Sequence, residues 1–145
     1  QTLAIPAYGV CSLDAIGWAS ARGDRSDGDD DGLTLVATDA RRREIYWALY
    51  RDGLPVTPPA VGRPAAVVEQ VADRGVRVAV GDGAVRYAEL LPFPVLDEPR
   101  YPPAPALAQL AAARVLDRAP GDPLTPLYLR RPDATAPHAP KAVTA

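Results

Sequence analysis

Residues 33–50 read LTLVATDARRREIYWALY, and they decide the fold. Two apolar runs flank a short charged turn, Asp39-Ala-Arg-Arg-Arg43. In the first run Leu33, Leu35 and Ala37 alternate with Val36. In the second, Ile45, Trp47 and Leu49 alternate with Tyr46 and Tyr50. A strand that is apolar on both faces is buried on both faces, so this hairpin is expected at the middle of a sheet covered by helices.

Working outward, Gly53 supplies a residue free to take positive φ for a turn after the hairpin, and 56–61 is broken by prolines and fits only an edge strand. Pro64 suits the first position of a helix over 64–75, with Val67, Val68 and Val71 as its apolar face and Gly75 as its stop. A strand VRVAV (76–80) ends at Gly81-Asp82-Gly83. A short helix is expected over 84–91 and a longer one over 104–118, with Leu107, Leu110, Ala111 and Val115 at helical spacing. Upstream, 3–11 reads as a short buried strand and Ser12 as the cap of a helix. Residues 22–32 form an acidic surface loop. Leu127, Tyr128 and Leu129 make one apolar patch before an Ala/Pro tail, 133–145, expected to be disordered. The fold class is therefore α/β, a mixed sheet with an antiparallel start and one parallel crossover, flanked by helices.

The 145 residues, 48% hydrophobic and 23% charged, suit one domain. A net charge of −2 gives no global pull toward nucleic acid or anionic lipid. A single cysteine, Cys11, excludes an internal disulfide framework and suits a reducing cytoplasm. The sequence carries no signal-peptide pattern and no apolar run near the roughly 20 residues of a membrane span. A start at Gln1 inside an apolar stretch, without an initiator Met, reads as a piece cut or processed from a longer polypeptide.

Few residues carry chemistry. Asp27 to Gly32 begins like a calcium loop, but the required twelfth-position Glu is Thr38. Arg22-Gly23-Asp24 is a three-letter match without weight. Gly81 and Gly83 sit between a strand and a helix, where backbone can cradle a phosphate. The third glycine of a dinucleotide fingerprint is replaced by Arg86, and a tight turn is the competing reading. Asp39, at a strand end, is a candidate magnesium or phosphate-site carboxylate. Arg41, Arg42 and Arg43, with Arg130 and Arg131, offer a weak footprint for RNA phosphate, offset by the acidic loop. The only histidine, His138, lies in the tail, so Cys11 has no partner for a dyad and reads as a lone buried thiol. No zinc ligand set and no catalytic set emerges.

Three stretches, GVCSLDAIGWA (9–19), ATDARRREIYWALYRDG (37–53) and PLYLRRPDA (126–134), together resemble the C-terminal half of the TsaB family, also called YeaZ or Gcp-like. The resemblance implies a ribonuclease-H-like sheet forming one lobe of the actin-like ATPase (ASKHA) fold, here residues 1–132, without the N-terminal lobe. It implies a non-catalytic scaffold or activator in the threonylcarbamoyladenosine modification of tRNA. The partners would be a TsaD-like transferase and a TsaE-like ATPase, met mainly through the absent lobe; a homodimer is a further option, and tRNA would be met only indirectly. A protease activity finds no support in these residues. Active members of the larger superfamily end the first strand of this lobe in an Asp-x-Gly turn that wraps a phosphate. Here that turn is Asp39-Ala40-Arg41, which leaves ATP and magnesium only a degenerate or shared site at Asp39, Gly81 and Gly83. An ATP-binding enzyme using those residues is the alternative function. A lobe without its partner is expected to expose an apolar patch near residues 1–20.

Overall fold

A computed structural model describes residues 5–23 and 32–130. The sequence readings for the calcium-like loop, Asp24, Arg131, His138 and the tail lie outside the described residues.

The hairpin forms as its pattern requires. Strand β1 (Leu33–Asp39) pairs antiparallel with β2 (Ile45–Arg51), Leu35 opposite Leu49 and Ala37 opposite Trp47. Its alternation feeds two separate apolar clusters. On one face Leu35, Ala37, Ile45, Trp47 and Leu49 pack with Val67 and Val71 of helix α2 (Pro64–Val71). On the other, Val36, Ala48 and Tyr50 pack with Leu13 and Ile16 of helix α1 (Ser12–Ser20). Removing both faces from water is the main stabilising contribution of such a hairpin.

Two short strands continue the sheet along β2: β3 (Leu54–Pro55) beside Tyr50 and Arg51, and β4 (Ala60–Gly62) beside Ile45 to Trp47. Asp52 and Gly53 both take positive φ, 51° and 78°, which makes the β2–β3 link a two-residue turn whose twist suits a hairpin. The single edge strand expected over 56–61 is thus two pieces, one on each side of Pro58 and Pro59. Prolines cannot donate to a ladder; between the pieces the Thr57 hydroxyl takes the Leu49 amide at 3.0 Å.

After α2, strand β5 (Val76–Val80) lies parallel to β1, giving the order β3-β2-β1-β5 with β4 also on β2. This mixed α/β sheet with an antiparallel start and one crossover is the expected ribonuclease-H-like layout. Helix α3 (Asp82–Arg86) starts two residues earlier than the apolar pattern suggests, because Gly81, at φ 106°, turns the chain straight from β5 into the helix. A 3₁₀ turn (Ala88–Leu90) follows, set off by Tyr87 outside helical geometry.

Helix α4 (Ala104–Leu116) packs on α1, yet only Ala106 is fully buried; Val115 is 53% and Leu116 80% exposed. The largest departure is at the N-terminal end. Residues 5–11 are not a strand, and Ile5 is exposed. Pro6 interrupts the run, and the backbone bonds go to the far end of the chain instead. The Asp122 amide donates to the Ala7 carbonyl at 2.8 Å, and Arg114 donates to the Gly9 carbonyl at 2.9 Å. Residues 5–11 and 119–124 are thus laced together outside α1, where Leu124, Leu127 and Tyr128 are exposed. Among the described residues no helix is long and apolar enough to cross a membrane.

Candidate functional site

Parallel pairing of β1 and β5 brings their C-terminal ends to one edge of the sheet, so Asp39, Gly81 and Gly83 meet there. In open α/β sheets this end is where ligands gather. Here the space is occupied by the chain itself. A side chain at Gly81 would strike the Ala37 carbonyl oxygen, and one at Gly83 would lie 2.6 Å from the Thr38 carbonyl carbon. The glycines let α3 rest directly on the β1 backbone. The Asp82 carboxylate receives the Asp39 amide at 3.3 Å, and the Asp82 amide donates to the Arg100 carbonyl at 3.0 Å.

The Asp39 carboxylate is also engaged. Its side chain is 9% exposed; Oδ2 receives Arg86 Nη1 at 3.2 Å and Oδ1 receives the Arg41 amide at 3.2 Å. The Arg41 head lies 3.8 Å from Oδ2. A carboxylate held by two such bonds is a poor cation ligand, since that role requires breaking a charge-assisted bond. Among the described residues no cluster of three His, Cys, Asp or Glu side chains is placed to hold a metal ion.

Beside this junction the β1–β2 turn carries an unusual backbone. Arg41, Arg42 and Arg43 all take positive φ, 63°, 54° and 61°. Each non-glycine residue in that region costs about 1–2 kcal/mol. The turn is held from below: Ala40 and Glu44 bond across it, and Arg130 donates to the Ala40 carbonyl at 3.2 Å and to the Glu44 carboxylate. Arg130, read in sequence as an RNA-facing cation, is instead a clamp on the hairpin, its charge spent on Glu44. Nothing in the sequence signals this clamp beyond Glu44 standing next to an arginine run.

A groove of 740 Å³ lies elsewhere, between residues 9–13 and 122–129. Cys11, Tyr46, Pro59, Asp122, Leu127 and Leu129 are among its walls. Burial raises the Cys11 thiol above its ordinary pKa, only partly countered by backbone bonds from Asp14 and Leu13. Asp122 is bound by Arg114 at 2.5 Å and by the Gly9 amide at 3.3 Å. The groove therefore offers a protonated thiol and a neutralised carboxylate, with no base to activate either. Together with exposed Leu124, Leu127 and Tyr128 it forms an apolar surface flanking the first helix.

No protein-family model matches the chain. Among curated proteins it is 48% identical over 134 residues to an uncharacterized protein of Mycobacterium tuberculosis strain H37Rv, covering 92% of this chain and 54% of that protein. An uncharacterized protein of Mycobacterium leprae is 47% identical over 135 residues, covering 92% of this chain and 32% of its own length. The chain spans about half the length or less of these relatives. Among solved structures it is similar to an uncharacterized protein with similarity to peptidase YeaZ from Pseudomonas aeruginosa, with TM-score 0.63 and 28% identity over 86% of this chain and 59% of that one. YeaZ from Pseudomonas aeruginosa superposes with TM-score 0.56 and 26% identity over 81% of this chain and 55% of its own. The hairpin-centred mixed sheet is shared with these structures over most of this chain, which supports a YeaZ (TsaB)-like family.

Proposed function

We propose that the chain, over residues 1–132, is the C-terminal lobe of a TsaB-type subunit, a non-catalytic cytoplasmic scaffold in the threonylcarbamoyladenosine modification of tRNA. Its work in that complex is mechanical. A rigid sheet, buried on both faces, supports a second lobe, and that lobe presents most of the surface for a TsaD-like transferase and a TsaE-like ATPase. The observation that carries this reading is the β1–α3 junction. In a chain of the YeaZ family, the place where a nucleotide phosphate would approach is filled by the backbone of Ala37 and Thr38, and Asp39 is bound by Arg86.

The test is reconstituted threonylcarbamoyl transfer to a tRNA transcript with TsaD- and TsaE-type partners. Transfer is expected to require this chain, extended to the length of its relatives, and to survive Asp39→Asn with little loss. Full transfer in its absence contradicts the scaffold role. Loss of activity in Asp39→Asn, with saturable binding of magnesium-ATP to the unaltered chain at millimolar concentration, favours an ATP-using enzyme instead.

A further inference from the structure

We infer that residues 119–130 are a strap latched by two ionic pins, one near each end, which opens as one unit while the sheet stays folded and so controls access to the groove at Cys11.

The first support is how the strap is held. It contains no helix or strand. At its start the Tyr8 hydroxyl donates to the Ala119 carbonyl at 2.7 Å, and the Asp122 amide donates to the Ala7 carbonyl at 2.8 Å. The Asp122 carboxylate is the first pin, taking Arg114 of α4 at 2.5 Å and the Gly9 amide at 3.3 Å. At the far end Arg130 is the second pin, donating to the Glu44 carboxylate and to the Ala40 carbonyl at the base of the hairpin turn. Between the pins, the Thr125 amide donates to the Pro123 carbonyl and the Leu129 amide to the Leu127 carbonyl. Both bonds are internal, so they shape the strap without tying it to another element.

The second support is burial. Residues 120–128 are all exposed, with Leu124, Leu127 and Tyr128 between 63% and 83%. Neither apolar cluster of the sheet includes a residue of the strap, whereas both faces of the hairpin are sealed by those clusters. A segment with so few buried apolar contacts opens at a lower free energy than the core and separately from it.

The third support is the placing of the charges. The side chains of both ion pairs are 26–41% exposed, within reach of water and salt. Each pin joins the strap to different elements, Asp122 to α4 and the N-terminal segment, Arg130 to the hairpin. Pro123, Pro126, Leu127 and Leu129 of the strap wall the groove, and Cys11 and Tyr46 share its lining. Opening the strap removes that wall and turns the half-buried Cys11 toward solvent.

The experiment is amide hydrogen exchange of the native chain, followed residue by residue by NMR and corrected for intrinsic rates. Glu44→Gln and Arg130→Gln each break the second pin. The readout is at the first, in the Gly9 and Asp122 amides, which are bonded to neither altered side chain. In both variants these amides are expected to exchange about two- to fivefold faster, the size of losing one partly exposed ion pair. Raising salt from about 50 to about 500 mM should accelerate them in the parent by a similar factor, and in the variants by less. Alkylation of Cys11 by N-ethylmaleimide should quicken in parallel. Amides in the middle of β1 and the melting temperature should stay as in the parent, as they should in the exposed control Arg74→Gln. If Arg130→Gln melts lower than the parent, Glu44→Gln and the salt series carry the test. Unchanged exchange at Gly9 and Asp122 in the variants means that the two ends open separately, which overturns the proposal. Exchange of these amides only at the rate of β1, or a Cys11 alkylation rate indifferent to the latch, overturns it as well.

Discussion

Replacing Gly17 with alanine should invert the usual sign of a glycine-to-alanine change in a helix. In an exposed helix interior the change gains about 1 kcal/mol, because alanine loses less backbone entropy. Gly17 is buried in α1 against β2, and a Cβ there would lie 2.6 Å from Cγ and 2.8 Å from Cε1 of the Tyr50 ring. That ring cannot swing aside: Tyr50 is 1% exposed, and its hydroxyl donates to Asp14 Oδ1 at 2.7 Å. Overpacking a tight core costs about 1–3 kcal/mol, and a displaced ring also loses a bond to a charged acceptor, worth about 1.5–3 kcal/mol. Against the propensity gain, the net is a loss of about 1.5–5 kcal/mol, a fall of roughly 6–20 °C in Tm for a domain of this size. Thermal unfolding followed by circular dichroism measures it. Tyr50→Leu beside Gly17→Ala completes a double-mutant cycle, in which the two losses should fail to add because one collision underlies both. A Gly17→Ala protein that melts higher than the parent would refute the α1–β2 packing.

Three other outcomes follow from the same contacts. Tyr50→Phe should cost about 1.5–3 kcal/mol at neutral pH by removing the bond to Asp14. Burial and Asp14 raise the Tyr50 phenol well above its ordinary value, so its contribution is full below the unfolded tyrosine value of about 10 and is lost as pH climbs past it. Urea midpoints from pH 7 to 11 should therefore fall in the parent more steeply than in the variant. Gly81→Ala and Gly83→Ala should each destabilise by about 3 kcal/mol or more, because the colliding atoms are backbone; unchanged urea midpoints would mean the β1–α3 junction is open after all. Cys11, its thiol raised by burial, should alkylate more slowly at pH 8 than a free cysteine and reach the ordinary rate in denaturant. A native rate equal to the unfolded one would contradict the half-buried placement.

The hairpin was legible because alternation in 33–50 is a local property: each residue's face follows from its parity, and both parities are apolar. The crossover was legible for a similar reason, Pro64 marking the start of the intervening helix, although that helix ends at Val71, short of the stop expected at Gly75. What the sequence could not display are bonds between distant backbones. Nothing in LAIPAYGVC shows that its carbonyls will be met by the Asp122 amide and the Arg114 side chain, more than a hundred residues away, so a buried strand is the natural reading and a laced surface segment is what forms. Gly81 and Gly83 carried the same ambiguity. A glycine pair after a strand admits a close neighbour, but only the β1–β5 register decides that the neighbour is Ala37 and Thr38. The left-handed turn at Arg41–Arg43 was hidden because arginine gives no signal for positive φ.

In the proposed function this chain is a supporting lobe of a complex-forming protein. Titration calorimetry with a TsaD-type transferase tests it most directly, with the chain and its version extended to the length of the relatives measured side by side. Heat of binding is expected from the extended protein and little from the chain alone, the main interface lying in the second lobe. Absence of binding by the extended protein would contradict it.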